Sequence, residues 1–393
     1  MSSETEIRPF RVDMPGEAIA DLQRRIAATR LPTKELVDDR SQGVQLATIQ
    51  ELARYWTTEY DWRRCEAELN ALPQFKTSID GVDIHFIHVK SAHTDALPLI
   101  ITHGWPGSVI ELLGVIGPLT DPTAHGGSAQ DAFHLAVPSI PGYGFSAEPA
   151  ELGWNVGRIA QAWAELMRRL GYTRYVAQGG DVGAFITDAM GRQAPGGLLG
   201  IHVNLLQSGL LGSSPPADSD KERAALAAVA TFNTTGRGYF IEQATRPQTI
   251  GYPLLDSPVA LAAWMLDHDT DAYYKISRAF TGGQPSGGLT RDSILDNITL
   301  YWLTGTGASA ARSYWEIGQA AAHAAGQAPP AVSVPVGFTT FPGEIIAAPR
   351  SWVEQVYPSL SYFHETDRGG HFAAWEEPEL FATEIRSAFR SLR

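Results

Sequence analysis

"AQGGDVGAF", Ala177 to Phe185, is the stretch on which the reading of the fold turns. Before it, "RYVAQ" has the short apolar character of a strand, and "AFITDAMGRQ" continues from it as a helix, so Asp181 is expected on a tight strand-to-helix turn. Small residues flank the aspartate in a small-x-Asp-x-small pattern, where turns of this kind that carry a nucleophile usually read Gly-x-Ser-x-Gly. A carboxylate at the head of a helix is favoured by the macrodipole and by free backbone N–H groups, which help keep it ionised. A serine there would need a neighbouring base. A carboxylate is already a nucleophile, and the ester it forms can be hydrolysed afterwards, which suits displacement at a saturated carbon. Aspartate is also a favoured helix N-cap, so the rest of the chain has to decide between the two roles.

Working outward, "LPLIITHG" and "FHLAVPSIPGYG" are continuous apolar runs that end in glycine-rich turns, as expected of buried parallel strands. "WNVGRIAQAWAELMRRLG" has apolar residues at helical spacing, with Gly171 where a C-cap glycine belongs. "GLLGIHVNLL" is one more core strand. Upstream, "FKTSIDGVDIHFIHVK" alternates about Asp80-Gly81 as a hairpin does. The first 75 or so residues read mostly helical, with a single helix expected over "ATIQELARYWTTEYDWRRCEAEL" and Trp56, Tyr60 and Trp62 as core or docking aromatics. Downstream, "QSGLLGSSPPADSDKE" reads as a linker into an aromatic-rich helical block, and "GQAPPAVSVPV" leads back to strands in "VPVGFTTFPGE" and "SLSYFHETD" and a last helix, "EPELFATEIRSAFRSL". Strands alternating with helices imply a mostly parallel α/β sheet. A nucleophile-bearing turn followed by an acid and then a histidine after later strands is the chain order of the α/β-hydrolase fold. The expected division is an N-terminal region over 1–92, core over 93–208, a helical cap over 209–327, and core again over 328–393.

The bulk composition excludes several classes. Hydrophobic residues at 44% and charged ones at 19% are ordinary globular values, which argues against disorder. A net charge of -13 disfavours a nucleic-acid partner, since phosphate affinity needs clustered Lys and Arg. Cys65 is the sole cysteine, so neither an intramolecular disulfide nor a cysteine zinc cluster is available, which fits a reducing compartment. "MSSETEIRPF" lacks the basic start and apolar run of a signal peptide, and the apolar runs are short for a membrane helix. The expectation is a soluble cytoplasmic protein; a homodimer stays open.

"HGWPGS", His103 to Ser108, follows a buried strand and can aim backbone N–H groups at an oxyanion. The candidate donors are the amides of Trp105 and of Val182, the residue after Asp181. "DRGGHFAAWEEP" places His371 on a loop between the final strand and the last helix. Glu344 in "TTFPGEI" ends the preceding strand, where an acid that orients imidazole belongs, with Asp367 in reserve. His85, His88, His103, His125, His134, His202, His268, His323 and His364 have no comparable setting, and with no His-x-x-x-His pair no zinc site or other cofactor is expected. Opening a strained ether would release an alkoxide that needs a proton donor, for which a tyrosine suffices. The helical block holds several, among them Tyr239, Tyr273, Tyr274, Tyr301 and Tyr314, and spacing does not choose among them.

Taken together, "EYDWRRCEAELNALPQFKTSIDGVDIHFIHVK", "HGWPGS", "PSIPGYGFS", "LLDSPVALAAWML", "NITLYWLTGTGASAARSYWE", "FPGE" and "GGHFAAWEEPEL" resemble epoxide hydrolases of the microsomal and juvenile-hormone type, from about Ile7 to Arg386. The resemblance implies Asp181 as nucleophile, His371 as general base, Glu344 as its partner, and Tyr239 and Tyr314 as the pair that polarises an epoxide oxygen. It implies a small apolar epoxide as substrate and a vicinal diol as product. In two respects the chain departs from the family: Val182 stands where a Trp usually follows the nucleophile, and the membrane anchor of the animal members has no counterpart. The N-terminal segment is expected to pack on the core and brace the cap. Two other readings use the same frame: a haloalkane or haloacid dehalogenase, which would need indole N–H groups near the nucleophile, and a non-catalytic α/β-hydrolase-fold binding protein.

Overall fold

The computed structural model describes residues 6–206, 217–324 and 329–393. Its framework is a nine-stranded sheet in the order β1-β2-β3-β5-β4-β6-β7-β8-β9. The strands are β1 Arg8–Phe10, β2 Gln74–Ile79, β3 Val82–Val89, β4 Leu97–Thr102, β5 Phe133–Pro138, β6 Tyr175–Gly179, β7 Leu198–Val203, β8 Val336–Thr340 and β9 Leu360–Glu365. β1, β2 and β3 are antiparallel, β3 pairs antiparallel with β5, and every later pairing is parallel. The expected hairpin forms with Ile79 opposite Val82. Asp80 and Gly81 both take positive φ, 49° and 78°, as the tight two-residue turn requires. β4 and β6 are almost wholly buried, which is why their sequences run apolar without alternation. β1 is too short and too exposed to carry a periodic signal.

β4 runs on to β5 on one side and its other neighbour, β6, runs on to β7 on the other, so the connections diverge there and open a crevice at the carboxyl ends of the central strands. The elements that follow these strands converge there. Two helices flank the elbow side: α5, Val156–Arg169, and α6, Asp181–Gln193. α5 is tied to the end of β4 by the Trp163 indole, which donates to the Thr102 hydroxyl at 3.0 Å. Gly171 after α5 has φ +83°, in keeping with its expected role in ending the helix.

Two expectations are corrected. The single helix over residues 47–69 is two, Leu46–Thr58 and Trp62–Asn70. Asp61 causes the break: its carboxylate accepts from the Arg63 amide at 2.9 Å, capping a new helix, and a side chain used that way cannot sit inside a continuous one. The expected linker begins outside the described residues, but Ser219 and Glu222 form a reciprocal capping box that already starts a helix at Asp220.

Between β7 and β8 the described residues are helical: Asp220–Thr231, Gly238–Thr245, Pro247–Asp256, Pro258–Leu266, Thr270–Thr281, Arg291–Thr304 and Gly307–His323. The N-terminal helices hold this block in place. Trp56 donates to Thr299 at 3.0 Å, Tyr60 to Asp296 at 2.8 Å, and Arg64 forks onto both Asp296 oxygens at 2.8 and 2.7 Å. Arg40 reaches Asp267 at 2.6 Å. Cys65 is buried and unpaired beneath these contacts. No helix among the described residues is long and apolar enough to cross a membrane.

Candidate active site

Asp181 begins α6 with φ +49°, a left-handed conformation that costs a non-glycine residue energy and turns its side chain out of the strand end. The flanking small residues are steric necessities. A Cβ on Gly179 would overlap the Gly183 carbonyl, and one on Gly183 would run into the Thr102 carbonyl of β4. The elbow can close only where both are glycine. Gly104 is likewise required, because a side chain there would occupy the place of the Asp181 carboxylate.

The Trp105 amide donates to Asp181 Oδ1 at 2.8 Å. The Val182 amide, the second expected donor, makes no hydrogen bond to that carboxylate among the described residues, although Val182 is buried directly beside it. The "HGWPGS" turn carries a cis Trp105-Pro106 bond. It is pinned by the cap helix Arg291–Thr304: Asn297 donates to the Pro106 carbonyl at 2.7 Å and accepts from Ser108 at 2.7 Å, and Tyr301 donates to the Gly107 carbonyl at 2.6 Å. His103 is structural, accepting from the Ile140 amide at 3.2 Å and bonding to the Gly104 carbonyl at 3.0 Å.

His371 Nε2 lies 3.3 Å from Asp181 Oδ2, and its Nδ1 bonds to Glu344 Oε1 at 2.5 Å. The loops that carry the acid and the histidine are laced together by an isolated bridge between Gly343 and Gly370 and by the Gly343 amide on the Gly369 carbonyl at 3.0 Å. The reserve acid, Asp367, is 83% exposed and paired with Arg368, away from the imidazole. Burial works against a charge on His371, but the carboxylates of Glu344 and Asp181 outweigh it and hold the imidazole well above the usual histidine range. Burial also opposes the Asp181 charge, and there the adjacent His268 and His371 imidazoles win, holding the carboxyl well below its usual range. Asp181 is thereby held as an anion.

Tyr239 and Tyr314 meet edge to face, ring centroids 6.2 Å apart. Burial and the negative charge of Asp181 push both phenols well above their usual range, so both stay protonated and can donate.

His268, set aside in the sequence with the histidines that lack a site context, lies in the middle of the cluster. Its Nε2 bonds to the Tyr239 hydroxyl at 2.9 Å and stands 3.6 Å from Asp181 Oδ2. The available signal was "HDTDA": Asp269 caps the helix Thr270–Thr281 through the Ala272 amide at 2.8 Å, which fixes the preceding histidine at the helix mouth. Asp181, His268 and His371 bring three ligating atoms within 4.8 Å of one another, a grouping that spacing rules along the chain do not see. An ion there would occupy both the Asp181 carboxylate and the His371 imidazole, so the cluster is read as acid–base chemistry.

Comparison with known proteins identifies relatives of the chain. Residues 7–112 match the family described as epoxide hydrolase N terminus. The chain is 53% identical over 392 residues to a Stigmatella aurantiaca protein provisionally named an epoxide hydrolase, covering 98% of this chain and 86% of that one. It is 39% identical over 412 residues to epoxide hydrolase 1 of Sus scrofa, covering 98% and 89%. The solved structure of Aspergillus niger epoxide hydrolase superposes with a TM-score of 0.84 at 30% identity, covering 100% of this chain and 98% of that one. With an α/β-hydrolase core, an aspartate elbow and relatives that extend to the juvenile hormone enzymes, the chain belongs to the epoxide hydrolase family.

Proposed function

We propose that the chain converts an apolar epoxide to a vicinal diol in two half-reactions, with the helical block over 209–327 as the cap that supplies the proton donors. Asp181 attacks an epoxide carbon from the side opposite the C–O bond, and the bond's electron pair passes to the oxygen held by Tyr239 and Tyr314. This gives a hydroxyalkyl ester on Asp181. Esterification removes the Asp181 charge that helped to hold a proton on His371, so the imidazole, oriented by Glu344, is freed to take a proton from a water that attacks the ester carbonyl carbon, and the Trp105 and Val182 amides stabilise the oxyanion. The Val182 amide comes into play as the carbonyl rehybridises. The protein is read as cytoplasmic.

The observation that carries the proposal is the line Asp181–His371–Glu344 at 3.3 and 2.5 Å, with two protonated phenols that feel the charge of the same carboxylate. Paired phenols suit an ether oxygen that becomes an alkoxide and do not suit a departing halide. The test is a single turnover of excess enzyme with styrene oxide in heavy-oxygen water. Unlabelled diol with label retained in the Asp181 peptide is the expected result. Label in the first-turnover diol would demote Asp181 to a base. Absence of diol, followed by halide release from a haloalkane, would favour the dehalogenase reading.

A further inference from the structure

The two half-reactions do not return every proton to its starting place. When the epoxide oxygen takes the phenolic proton of Tyr239, a phenolate remains. In the second half-reaction water supplies two protons: one ends on the departing diol oxygen, and the other is left on the Asp181–His371 pair. One proton must therefore travel from that pair to Tyr239 before the next turnover.

We propose that His268, held by Asp269, carries this proton. Its ring lies between the two stations, with centroids 4.6 Å from His371 on one side and 4.6 Å from Tyr239 on the other. Nδ1 faces Asp269 Oδ2 at 3.3 Å, which assigns the N–H to that nitrogen and leaves Nε2 with its lone pair toward the Tyr239 hydroxyl at 2.9 Å. The same Nε2 stands 3.6 Å from Asp181 Oδ2, the oxygen that His371 Nε2 approaches at 3.3 Å. After ester hydrolysis the proton on the Asp181–His371 pair passes through Asp181 Oδ2 to His268 Nε2, giving an imidazolium opposite the Asp269 carboxylate. The same Nε2–H then protonates the Tyr239 phenolate. No ring flip is needed, and the protein starts and ends each cycle with the same protons. His268 and Asp269 repeat, on the cap side, the histidine–carboxylate arrangement of His371 and Glu344 on the core side. Both also line a cleft of about 950 Å³ with Gly236, Gly238, Gly343 and Glu344, so a small buffer molecule can approach them.

This inference rests on the epoxide-hydrolysis reading. It is tested by rapid-quench kinetics with styrene oxide on chelator-treated wild-type enzyme, His268→Gln and Asp269→Asn. Asparagine keeps the helix cap at position 269, so the second variant guards against loss of fold in the first. The expected result in both variants is a burst of one diol per enzyme, with the first turnover slowed less than the steady state. A steady state slower by about 10-fold or more in His268→Gln should follow, with a smaller drop in Asp269→Asn. Imidazole buffer should restore the steady state of His268→Gln in proportion to its concentration. A first turnover slowed by the same factor as the steady state would mean that His268 only shapes the site, and the relay would be overturned. A steady state indifferent to imidazole would overturn it as well. If the wild type itself forms no diol, the reading beneath the inference falls, a result distinct from either of these.

Discussion

Glu111 follows the HGWPGS turn, and its Oε2 is buried without a hydrogen-bond partner among the described residues. Its side chain folds back over Gly107, where a Cβ would overlap the carboxyl group, so that glycine leaves room for an acid. Burial, and after it the negative charge of Asp181, pushes the Glu111 carboxyl up to about 8. It is therefore neutral beside an ionised aspartate at pH 7. The consequence for stability has a definite sign. The folded protein holds this proton up to about pH 8, whereas an unfolded chain releases it near the usual carboxylate value, so the contribution is present at low pH and lost as pH rises through 8. Glu111→Gln removes that dependence while keeping the shape. Urea denaturation should find the variant and the wild type alike near pH 5, and the variant more stable at pH 9, by an amount on the order of a few kcal/mol. Equal stability at both pH values would show that the carboxyl ionises as it does in water.

Among the elements, the cap helix Arg291–Thr304 does more for the site than its sequence announces. Asn297 is buried and holds the HGWPGS turn by two hydrogen bonds, so Asn297→Ala should free the Trp105 amide from its fixed aim on Asp181. Loss of a single oxyanion donor costs about 10²–10³ in rate, and a misplaced donor should cost part of that. Ester hydrolysis is expected to slow by about 10- to 100-fold, more than ester formation, so that a covalent adduct accumulates and shows in intact-protein mass. Slowed ester formation with normal hydrolysis would count against this role. Elements of this kind mark the limit of what the sequence discloses. β4, β5 and β6 were readable because strands buried on both faces are apolar without interruption. The elbow was readable because only glycines fit around Asp181, and the His371 loop because it follows the last strand. His268, Glu111, Asn297 and Tyr301 were not, because their importance comes from contacts between cap and core or within a folded turn, which leave no period or spacing. The break at Asp61 was hidden for a related reason: one capping carboxylate outweighed a pattern that otherwise favoured a continuous helix.

Across the whole molecule, the N-terminal helices, the cap and the HGWPGS turn form one mechanical series. Arg64, Tyr60 and Trp56 grip Asp296 and Thr299 on the same helix whose Asn297 and Tyr301 hold the turn beside Asp181. Asp296 is only 5% exposed, and burial raises its carboxyl to about 6 in spite of the Arg64 guanidinium. Arg64→Ala would leave this carboxylate with the Tyr60 hydroxyl alone. The loss should be roughly 2–3 kcal/mol at pH 8, less than for a wholly buried pair because Arg64 itself is 37% exposed. Removing the cation also lifts the Asp296 carboxyl further above 6, so folding of the variant takes up this proton over a wider range. Its stability should therefore fall more steeply than that of the wild type as pH rises from 5 to 8, and the penalty should shrink toward pH 5, where the carboxyl is protonated in both proteins. The pair Arg64→Met with Asp296→Leu, which removes both charges, should be more stable at pH 8 than Arg64→Ala alone. Urea denaturation of the three proteins at pH 5 and pH 8, with kcat measured on the folded fraction, checks the whole series. A penalty that does not change with pH would place the loss in the packing of the Arg64 side chain, and an unchanged kcat in Arg64→Ala would show that the brace stabilises the cap without aiming the turn.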